Sequence, residues 1–192
     1  MSLVRLFLLA GIAASPTLAV ADQPTRWVID HDNSELAFYP LHDGREFKGV
    51  FEQFEAEMRF SETLLGQSQF DVTVDVTSAN TRNRDRDQAM ASSEWMYVSQ
   101  YPEARFVTSE IRAADDGGFE AEGELTIRAA TQTIVLPFEW TTHDDHARLT
   151  AEMQAEIVLN RTDFNLGVRE FADDGTVGHR VRVAVDLILH AE

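Results

Sequence analysis

FDVTVDVTS, residues 70–78, places Phe70, Val72, Val74 and Val76 on one side and Asp71, Thr73, Asp75 and Thr77 on the other. An extended chain reverses its side chains at each residue, so this stretch reads as a strand with one dry and one wet face. Four more stretches do the same. FEQFEAEMRF offers Phe54, Ala56, Met58 and Phe60 against Glu55, Glu57 and Arg59. FEAEGELTI offers Phe119, Ala121, Gly123, Leu125 and Ile127, and AEMQAEIVL offers Ala151, Met153, Ala155, Ile157 and Leu159. VRVAVDLIL offers Val181, Val183, Val185, Leu187 and Leu189. With so many one-sided strands and few helical patterns, the dry faces must meet one another. That predicts an all-β fold, an antiparallel closed barrel of about eight strands, which is wide enough to hold a small ligand.

The first 21 residues stand apart from this pattern. MSLVRLFLLAGIAASPTLAVA has a basic start at Arg5, an apolar run from Leu6 to Ala14 and the small-residue site Ala19-Val20-Ala21. It reads as a secretory signal peptide cleaved before Asp22, because a membrane span needs about 20 apolar residues. Residues 22–192 then form one domain, and the expected location is the periplasm. The chain has no cysteine, so stability must come from burial and sheet pairing.

The formal charge is −17, and only one of the 16 basic residues is lysine. Such a balance argues against nucleic-acid binding, which needs a basic face, and equally against adsorption to anionic lipid. An acidic surface favours solubility and suits a salty habitat.

Along the chain, short strand pieces at 27–30 and 36–39 flank a polar HDNS turn, and Asp43-Gly44 signals a hairpin. A long strand over 47–60, bent at Gly49, precedes a loop and then a strand over 70–81. RNRDRDQAMASSEWMYVSQYPEAR breaks the period of two. Its spacing predicts one short helical insert between Arg82 and Gln100, with turns of helix near 84–90 and 92–98, stopped before Pro102. Further strands follow at 104–113, 119–128, 132–141, 147–159 and 177–190.

The order of motifs resembles the YceI family of exported, lipocalin-like barrels linked to polyisoprenoid binding. The family's opening stands here as Trp27, Ile29, Asp30, Ser34 and Phe38, and its next segment as Phe47, Gly49, Phe51 and Phe54. The helical insert stands as Thr81, Arg86-Asp87, Met90, Trp95, Tyr101-Pro102 and Phe106. Gly123, Leu125, Thr126, Ile127 and Arg128 match one strand, Asn160, Arg161, Asp163 and Phe164 one turn, and Val177, Gly178 and Val181 the closing segment. The family's glycine after Leu-Thr-Ile-Arg is here Ala129, so that turn must adopt another geometry. The run HDGREFKGVF is closer to members associated with b-type membrane cytochromes. The resemblance implies an isoprenoid or other amphipathic lipid as ligand, with a quinone handled for a membrane b-type cytochrome as the alternative. It implies no cofactor. The sequence leaves the oligomeric state open, with a homodimer among the alternatives.

Candidate site residues follow. Phe38, Phe54, Met58, Val74, Phe106 and Leu125 are candidates for an apolar lining, and Met90, Trp95 and Met96 for the mouth beside the insert. Methionine adapts to a flexible chain, and such pockets are mostly apolar with a few placed polar groups. Asp87, Arg128, Asn160, Arg161 and Asp163 form a polar set at predicted turns. Arg128 and Arg161 could hold a headgroup oxygen through a guanidinium fork, but polar groups at turns more commonly tie loops together. His143-Asp144-Asp145-His146 reads as a polar turn rather than a metal site, since no third histidine lies nearby. No serine lies in a Gly-x-Ser-x-Gly context and no cysteine nucleophile exists. With 33 carboxylates, chance pairing is expected and carries no glycosidase inference. The expectation is a binding protein, not an enzyme.

Overall fold

The computed structural model describes residues 22–115, 117–145 and 148–192. The signal-peptide reading of residues 1–21 lies outside them, as does His146. The strands are β1 (Thr25–Ile29), β2 (Glu35–Tyr39), β3 (Leu41–His42), β4 (Arg45–Glu46), β5 (Gly49–Phe51), β6 (Phe54–Phe60), β7 (Gln69–Asp75) and β8 (Ala79–Asn80). After the helix α1 (Arg84–Ala91) come β9 (Glu103–Ala113), β10 (Phe119–Ile127), β11 (Ala130–Asp144), β12 (Leu149–Asn160) and β13 (Arg180–Ala191).

Eight of these close an antiparallel barrel in the order β1-β6-β7-β9-β10-β11-β12-β13, with β13 returning to β1. Trp27 marks the seam, since it is opposite Met58 on one side and Ala191 on the other. Closure removes the unpaired edges that a flat sheet would leave.

Three strands are broken into two pieces, and the breaks divide the barrel. β13 pairs with β1 near its end, Leu189 facing Ile29, and with β2 nearer its start, Val183 facing Phe38. Between β1 and β2 lies a 3-10 turn over His31–Asn33. β5 and β6 are the two halves of the strand expected over 47–60, broken at Glu52-Gln53. β7 and β8 are separated by a 3-10 turn over Val76–Ser78. β5 pairs with β2 and β8 with β5, so one piece of each broken strand joins a flap at one end: β13-β2-β5-β8.

The opposite end is filled. Phe60 lies 4.5 Å from Trp140, 5.2 Å from Phe119 and 5.6 Å from Phe138, ring centre to ring centre. Trp27 packs edge-on against Trp140 at 5.2 Å and its indole N–H donates to the Phe60 carbonyl. A buried indole with its donor satisfied keeps its apolar gain without an unpaired polar group. Met58, Phe70, Ala121, Ala151 and Leu189 complete this plug, all nearly inaccessible.

The insert is one helix, α1, followed by irregular turns over 92–100 rather than a second helical stretch. Tyr97 takes a left-handed backbone (φ 49°) that no helix continues through. The two-residue turn Arg128-Ala129 between β10 and β11 also differs from the family's glycine form. Its left-handed residue is Arg128, at φ 56°.

Candidate ligand-binding site

A cavity of about 390 Å³ opens at the end of the barrel opposite the aromatic plug. The barrel wall contributes Phe38, Phe51, Ile127 and Leu159 from the ends of their strands and Val181 and Val183 from the start of β13. The insert covers it with Ala89, Met90, Trp95 and Met96. The loop after β12 adds Phe164, Leu166, Phe171 and Val177.

Two hydrogen-bond networks hold this lid and loop in place. In the first, the buried Thr81 donates its backbone N–H (2.9 Å) and its hydroxyl (2.7 Å) to one Asp87 oxygen. Arg86 donates back to the Thr81 hydroxyl and carbonyl and lies 4.3 Å over the Phe47 ring. Asn83 caps α1 by accepting from the N–H groups of Asp85 and Arg86, a contact worth about 1 kcal/mol. The helix is thereby fixed to the end of β8 although none of its residues is buried.

The second network centres on Arg161, which is 3% exposed. Its Nε donates to the Gly178 carbonyl, Nη1 to those of Leu166 and Gly167, and Nη2 to those of Phe171, Asp173 and Val177. Burial pulls its pKa below the ordinary arginine value, while the carboxylates of Asp174, Asp173 and Glu94 oppose that. The guanidinium stays charged and turns an irregular loop into a wall. It also lies 5.3 Å from the centre of the Trp95 ring. Gly167 sits in the same contact at φ +64°, where a Cβ would come within 2.7 Å of Trp95.

Glu94 joins the insert to the loop. Its carboxylate accepts from the N–H groups of Arg169 and Glu170 and from the Arg169 guanidinium. Burial pushes its pKa up, but those three donors outweigh it and the net direction is down. Arg128 donates from one nitrogen to the carbonyls of Trp95 and Asn165, each at 2.9 Å. It borders a neighbouring polar depression with Ser93, Tyr97 and Arg169, not the apolar cavity.

The candidate residues therefore separate by position. Phe38, Met90, Trp95, Met96 and Arg161 border the cavity. Phe54, Met58 and Phe106 stand in the packed core, with Val74 and Leu125 against it. Of the remaining polar set, Asp87 holds Thr81, Asn160 caps the turn that follows it and Asp163 offers its carbonyl to Gln132. Sequence reasoning passed over Val181 and Val183, which lie on a strand face already identified as dry, and Phe51, which has the parity of the wet face of its stretch and stood only in a motif. It also passed over Phe164, which stood only as the last residue of a turn motif, and Leu166 and Phe171, whose only signal is isolated apolar residues in a polar loop. His143 lies 3.4 Å from Glu152, and among the described residues no group of three or more His, Asp or Glu is placed to hold a metal ion.

The YceI-like domain model matches residues 27–189. The chain belongs to the YceI-like family. A UPF0312 protein of Vibrio parahaemolyticus is 28% identical over 133 residues, covering 68% of this chain and 70% of that one. One from Pseudomonas savastanoi is 26% identical over 165 residues, covering 82% and 86%. Among solved structures, BcnA of Burkholderia cenocepacia superposes with a TM-score of 0.78 at 24% identity, covering 83% of this chain and 98% of that one. A polyisoprenoid binding domain from Saccharophagus degradans, implicated in plant cell wall breakdown, superposes with a TM-score of 0.62 at 15% identity, covering 88% and 99%. At these identities the likeness shows a common fold.

Proposed function

We propose that the protein is a periplasmic carrier that binds a long-chain isoprenoid or similar amphipathic lipid and has no catalytic role. The observation that carries this reading is the cavity of about 390 Å³, walled mostly by aliphatic and aromatic side chains at the open end of a barrel whose other end is plugged. That volume lies at the lower end of small-molecule sites, which run about 300–1,000 Å³. It suits several carbons of an apolar chain, each CH₂ contributing about 0.8 kcal/mol on leaving water. Family membership and the fold shared with a polyisoprenoid binding domain support the same ligand class.

Mass spectrometry of an organic extract of the natively purified protein tests this directly. An isoprenoid alcohol or a quinone should appear in stoichiometric amount; a quinone would favour the variant in which the protein serves a membrane b-type cytochrome. Delipidated protein should bind farnesol, with quenching of Trp95 fluorescence, because Trp27 and Trp140 lie in the plug. No extracted lipid and no farnesol binding would overturn the proposal.

A further inference from the structure

The charge of this protein is unevenly placed. The segments that border the cavity, residues 40–48, 81–102 and 159–180, hold eight basic and nine acidic residues. The rest of residues 22–192 holds seven basic against twenty-four acidic. The mouth end is close to neutral, and the barrel body carries nearly all of the negative charge.

Carboxylates engage basic groups on both parts, Arg26, Arg105 and Arg112 on the body and Lys48 and Arg169 in the mouth segments. At the mouth, Arg45 on the hairpin and Arg82 and Arg84 at the start of the insert are exposed, and no ion pair occupies them among the described residues. Two of the five large apolar residues exposed among the described residues, Leu41 and Val168, stand at the same end, 38% and 40% exposed.

We propose that the mouth end docks on an anionic phospholipid bilayer and presents the cavity to it, an inference that rests on the lipid-binding reading above. A 12-residue strand such as β13 extends roughly 40 Å. Tilted as barrel strands are, it leaves a height of about 30 Å. The Debye length is about 8 Å at physiological ionic strength. Mouth-down, most body carboxylates lie beyond the reach of the membrane's charge. Side-on or plug-down, they meet it directly. The total charge therefore opposes adsorption in every orientation except this one, in which three unpaired guanidinium groups face lipid phosphates. A ligand leaving the bilayer would then enter the cavity without crossing water.

Because the chain has no cysteine, single labels are straightforward. Gln88→Cys on α1 marks the mouth, and Glu62→Cys in the loop after β6 marks the plugged end. Each is labelled with a polarity-sensitive nitrobenzoxadiazole dye and mixed with protein-free vesicles of phosphatidylethanolamine and phosphatidylglycerol. The Gln88 label should brighten and shift to the blue while the Glu62 label does not respond. Arg45→Gln with Arg84→Gln should weaken vesicle binding about twenty-fivefold, since each arginine at an anionic surface is worth about a fivefold change. Arg59→Gln with Arg148→Gln, on the body, should not weaken it. Equal responses of both labels, a response of neither, or a response only to vesicles that contain membrane proteins would overturn the proposal. The last outcome would indicate a protein receptor. Farnesol binding in solution, measured on the same samples, reads the cavity separately, so a docking failure with intact binding leaves the carrier reading standing.

Discussion

Replacing Arg161 by Met removes one side chain and leaves six backbone carbonyls to find other partners. Three of those hydrogen bonds, to Gly178, Leu166 and Gly167, are buried, and three, to Phe171, Asp173 and Val177, are partly buried. The partly buried carbonyls can turn to water once the loop loosens. The buried ones cannot do so without opening the cavity wall. A buried polar group left unsatisfied costs about 1–3 kcal/mol, and some of that is recovered by relaxation. Arg161→Met should therefore lose about 3–5 kcal/mol, the range seen when a buried charged group is removed from its partners. Arg161→Lys should recover little of it, because an ammonium cannot reproduce a planar fork of five donors. Urea unfolding gives the free energy, and limited proteolysis of residues 161–179 gives the local effect. If the barrel melts independently of the loop, the midpoint will hold while cleavage rises and farnesol binding falls. An Arg161→Met protein within 1 kcal/mol of wild type, with a protease-resistant loop and normal binding, would refute the role assigned to this residue.

Gly123→Ala should destabilise by about 1–3 kcal/mol in urea, since overpacking against main chain finds no flexible neighbour to yield; the added Cβ would meet the Val107 carbonyl oxygen and the Thr108 Cα at 2.8 Å. Val183→Trp should preserve the melting temperature to within a few degrees yet abolish farnesol binding, because the indole enters existing space on the cavity wall. Glu94→Gln should speed proteolysis of the loop at neutral pH. The folded pKa of Glu94 is depressed below its ordinary 4.5, so its contribution is present above that value and is lost as the pH falls through the folded one. Wild type and Glu94→Gln should therefore converge in acid, and a difference that persists there would remove Glu94 as the cause.

The strand faces were legible because burial on a barrel repeats the period of the chain itself. Ala151, Met153 and Ala155 are buried with Glu152, Gln154 and Glu156 exposed between them, and Phe54, Met58 and Phe60 follow the same rule. The breaks were not legible, because they depend on side chains that compete with the sheet for backbone groups. Asp75 accepts from the Thr77 N–H at 2.8 Å and turns the chain, yet Val76 stays buried, so the alternation runs on through a bend. The region 92–98 misled for a related reason. Its apolar residues have helical spacing, but the Tyr97 N–H returns to the Ser92 carbonyl and the Val98 N–H to that of Ala91. Those bonds wind the chain over the mouth. Arg161 was identified as a candidate, but one sequence cannot show that six carbonyls of its own loop would surround it.

These breaks also explain why one barrel holds both a solid core and a cavity. Where β1, β6 and β7 run unbroken, facing rings from β6, β10 and β11 meet across the interior and fill it. Beyond the turns at His31–Asn33 and Val76–Ser78 the wall is made of short pieces, and among the described residues β8 has β5 as its only strand partner. On its other side the wall is completed by α1, the turns after it and the Arg161 loop, whose attachments are polar. Those polar bonds fix where the lid lies without filling the space beneath it, and the lining stays mostly apolar, with His42, Asp85, Arg86 and Arg161 at its border. Asp75, the last residue of β7, stands opposite Glu103, the first residue of β9, so the ladder between the two strands ends here. The same acidic residue that reads as one more wet-face carboxylate is thus where the strand leaves the ladder and the opening begins.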